Sequence, residues 1–143
     1  MNGRIDWSGL FFSAEGRASR TPFLIAAAIL IVLTAVYEAV VEPQSMAALH
    51  WVTGIFVYGG LFYAGACVLA KRLHDRGKSG WWAALILFAI VMVWPAPYGV
   101  LDFLGVLVLI WAVVELAVLP GEQGSNRFGP NPRRAAAPEA VGV

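Results

Sequence analysis

Residues 70–82, AKRLHDRGKSGWW, hold the densest set of polar side chains in the sequence. Gly77-Lys78-Ser79 looks like the end of a phosphate-binding loop. That motif also needs a glycine five residues before Gly77, where Arg72 stands. His74 beside Asp75 could exchange a proton, but neighbouring helical residues do not face each other. No serine or cysteine stands as an evident nucleophilic partner, so no catalytic residue is expected. The two histidines, His50 and His74, are too few for zinc, which needs three or four converging ligands. No metal and no cofactor are therefore expected. The single Cys67 excludes an intramolecular disulfide.

Cationic chemistry remains. Arg17, Arg72, His74, Arg76, Lys78 and Arg127 are the candidate anion- or lipid-binding residues, set among glycines whose backbone N–H groups could join them. Arg72 and Arg76, four apart on one helical face, are expected to grip one phosphate together. Asp75 and Glu115 are expected to form structural ion pairs with basic residues of other segments.

The elements that position these residues follow from hydropathy. The chain has 143 residues, 59% hydrophobic and 13% charged, with a mean hydropathy of +0.72. Soluble domains average about 25% charged residues. This composition excludes a soluble globular fold and predicts an all-α membrane protein. A spanning helix needs about 20 mostly apolar residues. Four stretches are assigned as spans: residues 22–41, 47–70, 81–98 and 100–119. The third is uninterrupted only from Trp81 to Trp94, about 21 Å of helix, so residues 95–98 are expected in the interface or at a bent end. Trp7, Leu10 and Phe11 recur at helical spacing and predict a short interfacial helix before the first span. Residues 1–132 form one four-span domain in this reading, and residues 133–143 a disordered tail.

Charge sets the orientation. Arg4, Arg17 and Arg20 precede the first span; Lys71, Arg72, Arg76 and Lys78 separate the second from the third; Arg127, Arg133 and Arg134 follow the fourth. The other two connections contain no basic residue. The positive-inside rule then places both termini and the central loop in the cytoplasm, a pattern that closes only with an even number of spans. Trp81 and Trp82 mark the inner boundary; Tyr37, Trp51, Trp94 and Tyr98 mark the outer one. Thr53, Gly60, Ala64 and Cys67, spaced by 7, 4 and 3, form a small-residue stripe expected to pack against another helix.

Three segments of this framework carry a family pattern. EGRASRTPF (residues 15–23) precedes the first span, AKRLHDRGKSGWW precedes the third, and PGEQGSNRFGPNP (residues 120–132) follows the fourth. Together they closely resemble the bacterial inner-membrane family called domain of unknown function 805, over about residues 11–132. The resemblance implies a fold and a bacterial inner-membrane location but no activity. Its motifs, Gly16-Arg17, Arg72-Leu73-His74-Asp75, Gly77-Lys78-Ser79-Gly80 and Asn126-Arg127-Phe128-Gly129, all fall on one membrane side.

The leading functional expectation is a non-enzymatic protein whose cytoplasmic face binds anionic lipid headgroups or a protein partner. A small transporter or channel subunit is the second, with the glycine-rich second span and Asp102 as its pathway. A lipid-modifying enzyme using His74 and Asp75 is the third. Membrane lipids, a second copy of the chain or another membrane protein are the expected partners, and nucleic acid is not.

Overall fold

The computed structural model describes residues 5–41, 47–94 and 97–135. Helix α1 (Trp7–Phe12) opens the chain, capped by the Asp6 carboxylate, which accepts from the Gly9 N–H at 2.9 Å. Three long elements follow the apolar stretches: α2 (Arg20–Val40), α3 (Ala47–Asp75), and α5 (Val100–Ala112) continued by a π-helical turn (Val113–Val118). All three are long and apolar enough to cross a membrane. Helix α4 (Trp82–Val93) is equally apolar but has only 12 residues, and α6 (Pro132–Ala135) is a single turn. No strand forms among the described residues, and the chain is an all-helical, multi-pass membrane protein.

Two spans differ in length from their sequence assignment. Helix α3 continues to Asp75, five residues past residue 70, because Lys71 to Asp75 find partners outside the apolar layer. Its 29 residues measure about 43 Å, against about 30 Å of hydrocarbon. Helix α4 stops at Val93, short of residue 98. Trp94 precedes Pro95 and is extended (φ −83°, ψ 138°), as the proline ring requires of the residue before it. The expectation for Pro95 and Ala96 lies outside the described residues, as do residues 136–143 of the expected disordered tail. Arg133 and Arg134 belong to α6, where the Arg133 N–H donates to Asn131 Oδ1 at 2.9 Å.

Packing is inverted relative to a soluble protein. Large apolar residues such as Ile31, Ile55, Phe56 and Leu101 face outward, whereas small ones are buried. That is the arrangement lipid favours, because helices in it associate by close approach rather than by apolar burial. Ala83, Ile86 and Ala89 line the inner face of α4. A Cβ on Gly105 of α5 would come within 2.9 Å of Val93 and 3.5 Å of the Ala89 carbonyl, so these two helices touch nearly backbone to backbone. The main core cluster draws Leu10, Ala18, Phe23, Leu73, Ala112 and Leu116 together where α2 and α4 begin and α3 and α5 finish.

The opposite end is held by a smaller polar set. Tyr37 Oη donates to the His50 carbonyl at 3.0 Å and lies 2.9 Å from Thr53 Oγ1. Asp102 accepts from the Tyr98 and Gly99 N–H groups at 2.8 and 2.9 Å, closing the first turn of α5.

Candidate functional site

The end of α3 is built to stop sharply. Gly77 takes φ +68°, its N–H donates to the His74 carbonyl at 3.0 Å, and the Lys78 N–H donates to the Leu73 carbonyl at 2.8 Å. These paired bonds are the Schellman arrangement, which needs a left-handed residue at this place and explains the glycine. The turn leaves Arg72, His74 and Asp75 pointing into the space between helices.

Arg72 is 0% exposed. Its Nε donates to the Leu116 carbonyl at 2.8 Å, Nη2 to the Leu119 carbonyl at 2.7 Å, and Nη1 to the Asp75 carboxylate. The other Asp75 oxygen accepts from Arg17 Nε at 3.1 Å and Nη2 at 3.0 Å. Arg17 also reaches the carbonyls of Glu122 and Gly124, each at 2.7 Å. One carboxylate thus lies between two guanidinium groups from different segments, and the donors left over are taken by backbone carbonyls. Buried charge persists on these terms, paired and with its remaining hydrogen bonds made.

The acceptors come from the end of the last span. In its π-helical turn the Leu119 N–H bonds the Val114 carbonyl at 3.0 Å, five residues back. Around this wide turn Arg72 takes the carbonyls of Leu116 and Leu119, Arg20 takes Val118 at 3.1 Å, and Arg76 takes Pro120. Three arginines therefore cap the negative end of one helix, satisfying carbonyls that have no partner within it. Arg76 Nε also donates to Glu115 Oε1 at 3.0 Å, and Lys78 Nζ stands 3.7 Å from the same oxygen.

The segment after Pro120 wraps this cluster. The Glu122 N–H donates to the Asp75 carbonyl at 2.8 Å, and Asn126 Nδ2 donates to the His74 carbonyl at 2.9 Å. Phe128 stacks on His74, with ring centroids 3.8 Å apart and planes within 8°. His74 Nδ1 lies 3.1 Å from the Gly16 carbonyl, and the Ala18 N–H donates to the Lys71 carbonyl at 3.1 Å. The N-terminal segment, the α3–α4 loop and the C-terminal segment meet in one knot.

Each candidate residue now has a place. Arg17, Arg72 and Arg76 lie in the knot, joined to Asp75, Glu115 and carbonyls. Arg72 turns no donor outward, so the phosphate expected between Arg72 and Arg76 is replaced by the end of the last span. His74 sits at the knot's edge, and Lys78 on its rim, 6.0 Å from the Trp111 ring centroid. Arg127 forms no ion pair among the described residues; its guanidinium lies 4.6 Å over the Phe128 ring. Ala64 and Cys67 are buried and Thr53 bonds Tyr37, but Gly60 is exposed, with no atom within 4 Å of a Cβ placed on it. The stripe therefore does not pack along its whole length within one chain. The π-helical turn, the Phe128 stack and the carbonyls of residues 116–124 were not foreseen. Asn126-Arg127-Phe128-Gly129 carried the one local signal: Asn126 Oδ1 accepts from the Phe128 N–H at 3.0 Å, closing a tight turn.

No group of three His, Cys, Asp or Glu side chains that could hold a metal occurs among the described residues.

The sequence that builds this bundle and its knot matches a known family. The chain belongs to the DUF805 family, described as a protein of unknown function, whose pattern it matches over residues 11–130. It is 30% identical to the uncharacterized protein YiiR of Escherichia coli K12, over 82% of this chain and 84% of YiiR. It is 35% identical to the inner membrane protein YhaH of Escherichia coli K12, over 54% of this chain and 50% of YhaH. No solved structure matches it.

Proposed function

We propose that this is a non-enzymatic, four-span protein of the bacterial inner membrane, with both termini in the cytoplasm, whose cytoplasmic face binds anionic lipid headgroups. The observation that carries the reading is the separation of charge along the bundle. All nine basic residues among the described residues, from Arg17 to Arg134, belong to the end of the bundle where the knot lies. Glu38 and Asp102 stand at the other end. The positive-inside rule turns such an end to the cytoplasm. The name of YhaH supports the inner membrane as the location. In this reading α4 is a fourth, short span, and its 12 residues cover about 18 Å of the apolar layer.

Lipid is favoured over chemistry by how the side chains are engaged. The proton-exchange candidates, His74 and Asp75, are occupied by Phe128, the Gly16 carbonyl and two arginines. Asp102, which transport would need in a pathway, caps α5. Arg127, Arg133 and Arg134 form no ion pair among the described residues, and each basic residue near an anionic surface contributes about 1 kcal/mol.

Two measurements test the proposal. Reporter fusions after Val143 and within residues 42–46 should signal cytoplasm and periplasm respectively. Native mass spectrometry from bilayers mixing phosphatidylglycerol and phosphatidylcholine should show the anionic lipid retained in excess. A periplasmic tail would overturn the orientation, and equal retention of the two lipids would overturn the binding.

A further inference from the structure

Resting on that lipid-binding reading, we infer that the groove between α3 and α4 is a site for one anionic phospholipid, with an acyl chain along the groove and its phosphate at Arg127. The groove is largely open, with a volume of about 540 Å³. Its apolar wall is made by Tyr63, Ala66, Cys67 and Ala70 of α3 against Ala84 and Leu87 of α4. Its other end is polar, closed by His74, Ser79 and Phe128.

Three features fit one occupant. The first is length. Tyr63 and His74 are 11 residues apart on one helix, about 16 Å, and one leaflet's share of the hydrocarbon layer is about 15 Å. A chain anchored at the polar end would run the depth of its own leaflet. The second is depth. Trp81 at the groove edge is 84% exposed, as suits an indole at the boundary between headgroups and acyl chains. The polar end of the groove therefore lies at phosphate level. The third is charge. Phe128 both lines that end and lies under the Arg127 guanidinium, which has no acidic partner among the described residues. Of the four candidate arginines, Arg17, Arg72 and Arg76 are joined to acids, so Arg127 is the one open to a phosphate. Small side chains make most of the wall, leaving space for a chain that larger side chains would fill.

The test uses the full-length protein in phosphatidylcholine bilayers, with a photoreactive diazirine on one acyl chain of either phosphatidylglycerol or phosphatidylcholine. Adducts on Tyr63, Cys67 and Leu87 should be about fivefold more abundant from the anionic probe, the factor a single cation gives near anionic lipid. Adducts on Ile110 and Val113, which face lipid elsewhere in the same leaflet, should not distinguish the probes. Arg127→Gln should bring the groove ratio to one, and Arg133→Gln with Arg134→Gln should leave it unchanged. Equal labelling of the groove by both probes, while the protein still retains phosphatidylglycerol in native mass spectrometry, overturns the groove site and leaves the wider lipid reading standing. Loss of both signals overturns both. Equal effects of the two variants would reduce the site to general attraction and overturn it.

Discussion

Arg17 and Asp75 are 58 positions apart in the chain, yet two guanidinium nitrogens of one meet a single carboxylate oxygen of the other, at 3.1 and 3.0 Å. Their side chains are 1% and 3% exposed. A pair so thoroughly removed from water is sensitive to losing either member, because the survivor is left charged and unpartnered.

Asp75→Asn should therefore destabilise the protein by about 3–5 kcal/mol, the cost of stranding a buried charge, and here two guanidinium groups are stranded. Thermal unfolding in detergent should show the loss. Limited proteolysis should show new cleavage within residues 119–131, which the knot protects. A variant with unchanged unfolding and cleavage would show that the two arginines find other partners.

Arg72→Lys keeps the charge and removes the fork. An ammonium cannot reach the Leu116 and Leu119 carbonyls and the Asp75 carboxylate at once. The expected destabilisation is about 2 kcal/mol or more, from carbonyls left without donors. Arg127→Gln should change stability by less than about 0.5 kcal/mol, as surface substitutions usually do. The contrast separates an arginine that holds the fold from one available to a ligand.

Gly121 and Gly124 differ in the space around them. A Cβ on Gly121 would overlap the Asp75 carboxylate, which two arginines hold in place, whereas one on Gly124 meets nothing within 4 Å. Gly121→Ala should cost about 1–3 kcal/mol, the range for overpacking, and Gly124→Ala should lie within about 0.5 kcal/mol of wild type. Unfolding curves of the two variants provide the comparison.

Asp6 supplies the pH-dependent contact. The Gly9 N–H, first, and the Ser8 hydroxyl hold its carboxyl below the ordinary value of 3.8. A depressed carboxylate stabilises the fold above its unfolded pKa, and that contribution disappears as pH falls through the lower, folded value. The first turn of α1 should thus loosen only below about pH 4, as read from Trp7 fluorescence in an Asp6-containing protein whose other tryptophans are replaced. Asp6→Ser, whose hydroxyl caps without titrating, should abolish the transition.

Much of the scaffold was legible in the chain because lipid imposes a simple rule. Apolar length and the positions of ten basic residues suffice to expect long helices and a charged end. The shortness of α4 was legible in part, since Pro95 and Pro97 follow Trp94. The π-helical turn was not, because nothing within residues 113–118 demands it: its carbonyls meet arginines from α2 and α3, and Arg76 of the loop beyond α3 takes the Pro120 carbonyl just after it. The role of Arg72 was hidden for the same reason. A basic residue at a helix end reads as a solvent-facing cation, and only the closure of three distant segments makes it a buried strut. Gly60 shows the converse, since its spacing places it on a face without saying whether that face meets a helix or lipid.

The knot also sets an order on assembly. Its parts come from residues 16–18, 71–76 and 116–128, so it cannot be completed until residue 128 has been synthesised. Until then Arg72 and Asp75 wait at the edge of the bilayer with the acceptors of the last span still missing, and the inserted helices lack their common clasp. Synthesis of residues 116–128, rather than insertion of the first apolar helix, is the moment at which these helices become one folded unit.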